Sequence, residues 1–356
     1  MIVITCRKLI KEAVLYKRLP NDRVKCIACT RYCNIPKGKI GFCGVRQNIG
    51  DKLYLLVYGK IIADHVDPIE KKPIIHYLPG SKVFSIGTTG CNWLCQYCQN
   101  YNISQCKKVE GTEVSPKEVV QLAEDYGCQG IAYTYNEPTI YMEYAHDIGE
   151  IAREKGLINI FVSNGYCTLN TVKMMNNFLD CIVIDFKGNG ETNFLKKYVG
   201  VPNANHIFQT LLDIKDKTKI HIEITNLIIP KIGDNLEEAR KLSKWLYENL
   251  GPNTPIHFLR FQPNYKLTYL HPTPVETLER HYDVAKEVGL RYVYVRNVLG
   301  HKFEHTYCPG CNRIVVKRIG WDITGWYLNG KNKCIYCGYK IPIVGKLNRT
   351  ILFNNL

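Results

Sequence analysis

Three cysteines crowd into one short loop, "GCNWLCQYCQN" at 90–100, where Cys91, Cys95 and Cys98 follow a Cys-x3-Cys-x2-Cys spacing. Thiolates this close read as metal ligands or redox groups, and a closed tetrahedral zinc site needs a fourth ligand that the neighbourhood does not offer. A four-iron cluster held by three thiolates instead leaves one iron with an open coordination position, which can hold a substrate. Eight more of the sixteen cysteines form two quartets: Cys26, Cys29, Cys33 and Cys43, and Cys308, Cys311, Cys334 and Cys337. Cys6, Cys106, Cys128, Cys167 and Cys181 remain as singles; Cys128 and Cys181 open predicted strands, where free cysteine acts as a small hydrophobe. Clustered, reduced cysteines fit the cytoplasm rather than a disulfide framework. The N-terminus breaks every apolar run with charge, so neither a signal peptide nor a membrane span is expected.

The elements that must position the loop are legible from about residue 82 onward. Short β-rich runs alternate with helical patterns, which argues for parallel βα units. The expected strands are 82–87, 130–135, 157–163, 181–186, 219–225, 256–261 and 291–295. Between them "SPKEVVQLAEDYG" offers Ser115 as cap, Pro116 at the first helical position and Gly127 as stop. "DNLEEARKLSKWLYENLG" starts at Asp234 or Asn235 and stops at Gly251. Such units build an α/β fold, a complete or partial (β/α) barrel in preference to an open doubly wound sheet, with function at the C-terminal strand ends. Ahead of it, "KLYLLVYGKIIADHV" reads as a hairpin turning at Gly59.

Cys91-x3-Cys95-x2-Cys98, with Tyr97 before the last cysteine, resembles the signature of radical S-adenosylmethionine (SAM) enzymes. Residues 67–105, with "YTYNEPTI" and "VYVRNV", are similar to the radical SAM member of the AmmeMemoRadiSam group, related to pyruvate formate-lyase activating enzymes; the likeness covers roughly 20–300. It implies a partial (β/α)6-type barrel with a [4Fe-4S] cluster on Cys91, Cys95 and Cys98. It also implies SAM chelated by the open iron and cleaved by one electron to a 5′-deoxyadenosyl radical that abstracts hydrogen. In such proteins the place of "TYNEP", often Gly-Gly-Glu-Pro, receives the amino group of SAM, which assigns Glu137 and, in place of a glycine, Asn136 to the cofactor. Similarity to activating enzymes brings Asp185 and Lys187 to SAM or the substrate, and Tyr97 stands within the signature. Strand-end placement offers Ser163, Asn164 and Asn226 to the cofactor and Arg260, Gln262 and Tyr265 to a substrate. No acid-base dyad or nucleophile motif stands apart from these, which suits chemistry carried by a cofactor.

The net charge of +15 sits on the flanks: residues 1–50 carry eleven Lys/Arg against Glu12 and Asp22, and residues 300–356 carry nine against Glu304 and Asp322. Two Cys-x2-Cys pairs 22 residues apart make the C-terminal set a zinc-ribbon pattern. The N-terminal spacing of x2, x3 and x9 accepts zinc or an auxiliary cluster, and its glycine-rich compactness favours zinc. The expected organisation is an N-terminal four-cysteine module and hairpin (1–66), the barrel (67–299) and a zinc-ribbon-like module (300–356). The expected partners are an electron donor such as ferredoxin or flavodoxin, proteins of the same system, and a macromolecular substrate, with a glycine hydrogen on a protein as the leading candidate. The rival reading is RNA modification, with Trp321, Trp326 and Tyr327 stacking bases between basic residues; a non-catalytic zinc scaffold is the third.

Overall fold

A computed structural model describes residues 10–106 and 108–348, so Cys6 and the outer ends of both flanking modules lie outside the described residues. Its main sheet has eight strands in unbroken chain order. These are β1 (Ala63–Pro68), β2 (Lys82–Gly87), β3 (Gly130–Tyr133), β4 (Ile158–Ser163), β5 (Cys181–Lys187), β6 (His221–Ile228), β7 (Ile256–Arg260) and β8 (Val293–Arg296). β2 to β8 are all parallel, and β1 pairs antiparallel with β2 at one edge. The order runs linearly from β1 to β8, so the sheet curls without closing: an α/β partial barrel of six βα units and a last strand. The runs 159–161, 181–184 and 223–226 are wholly buried, as strands covered on both faces require.

Helices α1 (Pro116–Asp125), α2 (Met142–Glu154), α3 (Leu169–Met175), α4 (Asn205–Lys217), α5 (Leu236–Asn249) and α6 (Val275–Val288) fill the connections. Their ends follow local chemistry. Ser115 and Glu118 exchange both bonds of a capping box with Pro116 at the first position, and Asn235 accepts from the backbone of Glu237 and Glu238 at the start of α5.

The hairpin expected at Gly59 does not form. Lys52–Leu55 instead pairs with Arg46–Ile49 across the two-residue turn Gly50-Asp51. Both turn residues have positive φ, the geometry that matches strand twist in a tight hairpin. The segment beyond Gly59 is drawn away because Ala63–Pro68 satisfies its backbone on β2.

The flanks dock on opposite features of the barrel. Arg46, fully buried, grips Glu143 of α2 with two guanidinium nitrogens and gives Nε to the Ile140 carbonyl at 2.9 Å. The C-terminal strands β9 (Thr306–Tyr307), β10 (Ile314–Ile319) and β11 (Asp322–Trp326) form an antiparallel sheet. Its small core joins Val315, Val316 and Ile341 to Ile75, Tyr292 and Tyr294 beside β8. Beneath, Glu223 accepts from the backbone of Ile75 and His76 and lies 2.8 Å from His257 Nε2, pinning the segment ahead of β2. Among the described residues no helix is long and apolar enough to cross a membrane.

Candidate active site

The C-terminal strand ends surround one open cavity of about 500 Å³, within the range of small-molecule sites. Cys91, Cys95 and Cys98 on the β2–α1 connection line one side. Glu137 after β3, Asn164 after β4, Asp185 and Lys187 on β5, Leu227 on β6 and Arg260 on β7 line the rest. Residues more than 160 positions apart thus face one space because parallel strands all end on the same side.

The cysteine loop is held in place by its neighbours. Asn136 gives its amide to Thr88 Oγ1 at 3.0 Å and the Gly90 carbonyl at 2.9 Å, and accepts from Thr88 N. Asn100 gives Nδ2 to the Tyr135 carbonyl at 2.7 Å. Asn136, assigned from the resemblance to SAM, lines the cavity but spends its amide on the loop. The Trp93 amide donates to Cys91 Sγ at 3.4 Å, and Cys98 Sγ lies 3.1 Å from Ser104 Oγ.

The site's charges are set by burial and by one another. Burial pushes the Cys91 and Cys95 thiols up, Cys95 to about 12, and repulsion from neighbouring sulfurs, Cys95 on Cys91 and Cys98 on Cys95, adds to it. As free thiols these two would stay protonated; a cationic metal centre would make them thiolates at neutral pH. Burial works against the Lys187 ammonium, but Asp185 and the Cys95 and Cys98 sulfurs outweigh it and hold its pKa above the ordinary lysine value. A cation therefore faces the loop. Burial raises Glu137, while its bonds from Thr139, Ser163 Oγ at 2.8 Å and Asn164 N at 2.7 Å pull the other way. Trp93 Nε1 and Asn92 Nδ2 are buried without a partner among the described residues. Three sulfurs on one cavity wall, a facing cation, the orphaned Trp93 donor and a cavity of ligand size fit a cluster with SAM upon it.

Other assigned residues lie at differing depths. Tyr97 is buried against Phe194 and lines the cavity. Ser163 stays behind Glu137 as its hydrogen-bond donor. Asn226 does not reach the cavity: it is fully buried and paired with Asn189, through Nδ2 at 2.7 Å. Arg260 and Gln262 line the far wall, whereas Tyr265 stacks on Tyr101 at 4.5 Å. Among the wall residues that the sequence did not assign to cofactor or substrate are Lys71, Lys72 and Trp321, the last expected instead to stack bases. Both lysines bond Asp67, at 2.7 and 2.6 Å, and Lys71 sits over the Trp321 ring. The "EKK" step was a usable signal inside the quoted 67–105 block, but Trp321 reaches the cavity only because the C-terminal module docks beside it.

The two quartets differ. Cys308, Cys311, Cys334 and Cys337 bring four sulfurs within 4.8 Å of one another, with Cys308 to Cys337 at 3.5 Å and Cys311 to Cys334 at 3.8 Å. A tetrahedron of 2.3 Å zinc–sulfur bonds has edges of about 3.8 Å, so this set fits one metal ion. No three of Cys26, Cys29, Cys33 and Cys43 meet that limit. Trp326 packs against the ribbon core, the exposed Trp321 borders the cavity and Tyr327 lies beside Tyr336, so the three do not form one row for base stacking.

The chain's residues 85–246 match the family model for the radical SAM superfamily. It is 41% identical over 337 residues to an uncharacterized protein of Methanocaldococcus jannaschii, covering 94% of this chain and 99% of that one. A second protein of that organism, carrying the provisional name glycyl-radical enzyme activating enzyme, is 25% identical over 62% of this chain and 82% of its own length. A radical SAM methyltransferase from Sphaerobacter thermophilus superposes with a TM-score of 0.48 at 13% identity, over 61% of this chain and 67% of that one.

Proposed function

Because the chain belongs to the radical SAM superfamily of enzymes, whose members use a [4Fe-4S] cluster and SAM, we propose that it abstracts a hydrogen atom from a protein substrate, in the manner of glycyl-radical activating enzymes. When bound, cluster and cofactor supply the one-electron cleavage of a sulfonium and the carbon radical it releases. The observation that carries the reading is the single cavity onto which Cys91, Cys95 and Cys98 open together with Glu137, Asn164, Asp185 and Lys187. Cys91, Cys95 and Cys98 hold the cluster. Glu137 and Asn164 receive the amino acid end of SAM, with Ser163 orienting the carboxylate. Lys187, paired with Asp185 at 3.0 Å, offers a cation beside the sulfurs. Tyr97 packs below the cluster, and Asn136 fixes the loop's backbone.

The domain reading follows the same division: an N-terminal four-cysteine module (1–66), the barrel (67–299) and a C-terminal module (300–356) whose quartet holds zinc. Membership of the AmmeMemoRadiSam group, a ferredoxin or flavodoxin as electron donor and a cytoplasmic location complete the proposal. A protein is favoured over RNA because the aromatics expected to stack bases are dispersed, Trp326 against the ribbon core, Trp321 at the cavity wall and Tyr327 beside Tyr336, rather than set in one row.

The test is isotopic. Candidate substrate proteins of the same system, made with deuterated glycine, are incubated anaerobically with enzyme, SAM and reductant, and deuterium is sought in 5′-deoxyadenosine by mass spectrometry. Transfer from glycine supports the reading; transfer only from deuterated RNA would replace the substrate class.

A further inference from the structure

The N-terminal quartet has an internal yardstick on each side. At the C-terminus, four sulfurs converge as one tetrahedral ion demands; at the barrel mouth, three sulfurs share a space without all lying within 4.8 Å of one another. Cys26, Cys29, Cys33 and Cys43 follow the second pattern. They line one cavity together with Asn92 and Arg46. Four sulfurs around one cavity, no three of them within 4.8 Å of one another, are neighbours that do not converge. That is what a cubane cluster requires, because each thiolate binds a separate iron and stands apart from the other three. One zinc ion would need all four drawn in to edges of about 3.8 Å.

A second observation points to a ligand there. Asn92 is fully buried and lines this cavity, yet its Nδ2 has no partner among the described residues, while its Oδ1 accepts from Asn164 at 2.8 Å. An orphaned amide donor beside four sulfurs suits hydrogen bonding to cluster sulfide.

The same residue measures how near the two cysteine sites lie. Asn92 follows Cys91 directly, and Arg31 gives Nε to its carbonyl at 2.8 Å. The carbonyl of Cys43 packs so tightly on Gly90 that a Cβ there would lie 2.4 Å from it, and Gly90 has φ of +88°. One stretch of backbone, 90–92, separates the quartet from the loop.

We infer that Cys26, Cys29, Cys33 and Cys43 hold a second [4Fe-4S] cluster, close enough to the loop cluster to exchange electrons with it. One electron from a low-potential carrier protein would reduce the quartet cluster and pass on to the loop cluster, returning the first to its oxidised state with no net proton or atom transfer. This inference rests on the proposed loop cluster only for the exchange partner.

The experiment uses the full chain, purified anaerobically and reconstituted with iron and sulfide. The wild type should hold about 8 iron and 8 sulfide per chain, and the Cys91→Ala/Cys95→Ala/Cys98→Ala variant about 4 of each. The reciprocal Cys29→Ser/Cys43→Ser variant should lose the other half, which keeps the test valid if one variant folds poorly. Reduced wild type should show electron paramagnetic resonance signals broadened by coupling between two clusters, and the triple variant one uncoupled signal. An iron-free triple variant, with zinc in the quartet or with none, would overturn the cluster. A wild-type spectrum equal to the sum of the two variants' spectra would overturn the proximity. A triple variant with all the wild-type iron would instead sink the proposed loop cluster and leave this one standing.

Discussion

Cys308, Cys311, Cys334 and Cys337 gather four sulfurs within 4.8 Å of one another on a small sheet with its own core, whereas Cys91, Cys95 and Cys98 hold theirs around the rim of an open cavity. In the first case every ligand position of a single ion is taken by protein. In the second the protein supplies three and leaves the rest to what enters. The Cys-x2-Cys step is common to both, so that step alone does not separate them. What separates them is the element underneath: a hairpin turns each C-terminal pair back on the other, while the β2–α1 connection spreads its three along the mouth of the barrel.

That contrast breaks most visibly through the metals. Replacing Cys334 by alanine should remove about one zinc per chain and unfold the C-terminal module, because binding energy at a structural zinc is folding energy. Limited proteolysis should then cut within 300–348 while the iron of the barrel loop is retained; loss of iron alongside zinc would show that the sites are not independent.

Next in size is the pair that fastens the N-terminal module. Arg46→Met strands the Glu143 carboxylate in a site where both side chains are 2% exposed. Breaking a buried pair costs about 3–5 kcal/mol, a loss that urea unfolding would register directly. A change below about 1 kcal/mol would mean that Glu143 finds another partner.

Glu137→Gln keeps the shape but removes the charge that receives an ammonium, and should weaken SAM binding by about 10- to 100-fold, on the scale of about 1.5–3 kcal/mol for a hydrogen bond to a charged group. Equilibrium binding to the reconstituted protein measures it, with cluster content unchanged as the control.

The smallest effect concerns acid. His76 sits between β8 and the ribbon, 2.7 Å from Tyr294 Oη, and burial depresses its pKa to about 3. An unfolded histidine titrates near about 6.5, so between those values the unfolded chain binds the extra proton. The stability from this group is therefore complete above pH 6.5 and is lost as pH falls toward 3. Thermal unfolding of His76→Gln should show a shallower decline than wild type from pH 6.5 to 5; parallel curves would exclude it.

Much of this was legible before any coordinates. The seven parallel strands announced themselves because buried strands read as unbroken runs such as "CIVIDF", and the helix caps because Ser115 and Asn235 have one local task each. Cys91, Cys95 and Cys98 were visible because metal ligation needs a spacing. Pairing partners were less so. Lys52–Leu55 turned out to pair backward through Gly50-Asp51 rather than forward through Gly59, since β2 competes for the segment beyond. Trp321 was legible only as a candidate for base stacking, because its place in the cavity depends on a docking between distant modules. Asn226 faces away from the cavity for a similar reason, its partner Asn189 lying in the neighbouring strand-end loop. The divergence of the two quartets is a three-dimensional fact that ligand counting could not reach.

The central claim is that the barrel loop performs radical chemistry on SAM, and the most direct measurement is of 5′-deoxyadenosine. Protein reconstituted anaerobically with iron and sulfide is given SAM and dithionite, and product is quantified beside a Cys98→Ala control. The account predicts formation by wild type and none above background by the variant. Equal amounts from both, or none from a wild type that holds its loop cluster, would contradict it.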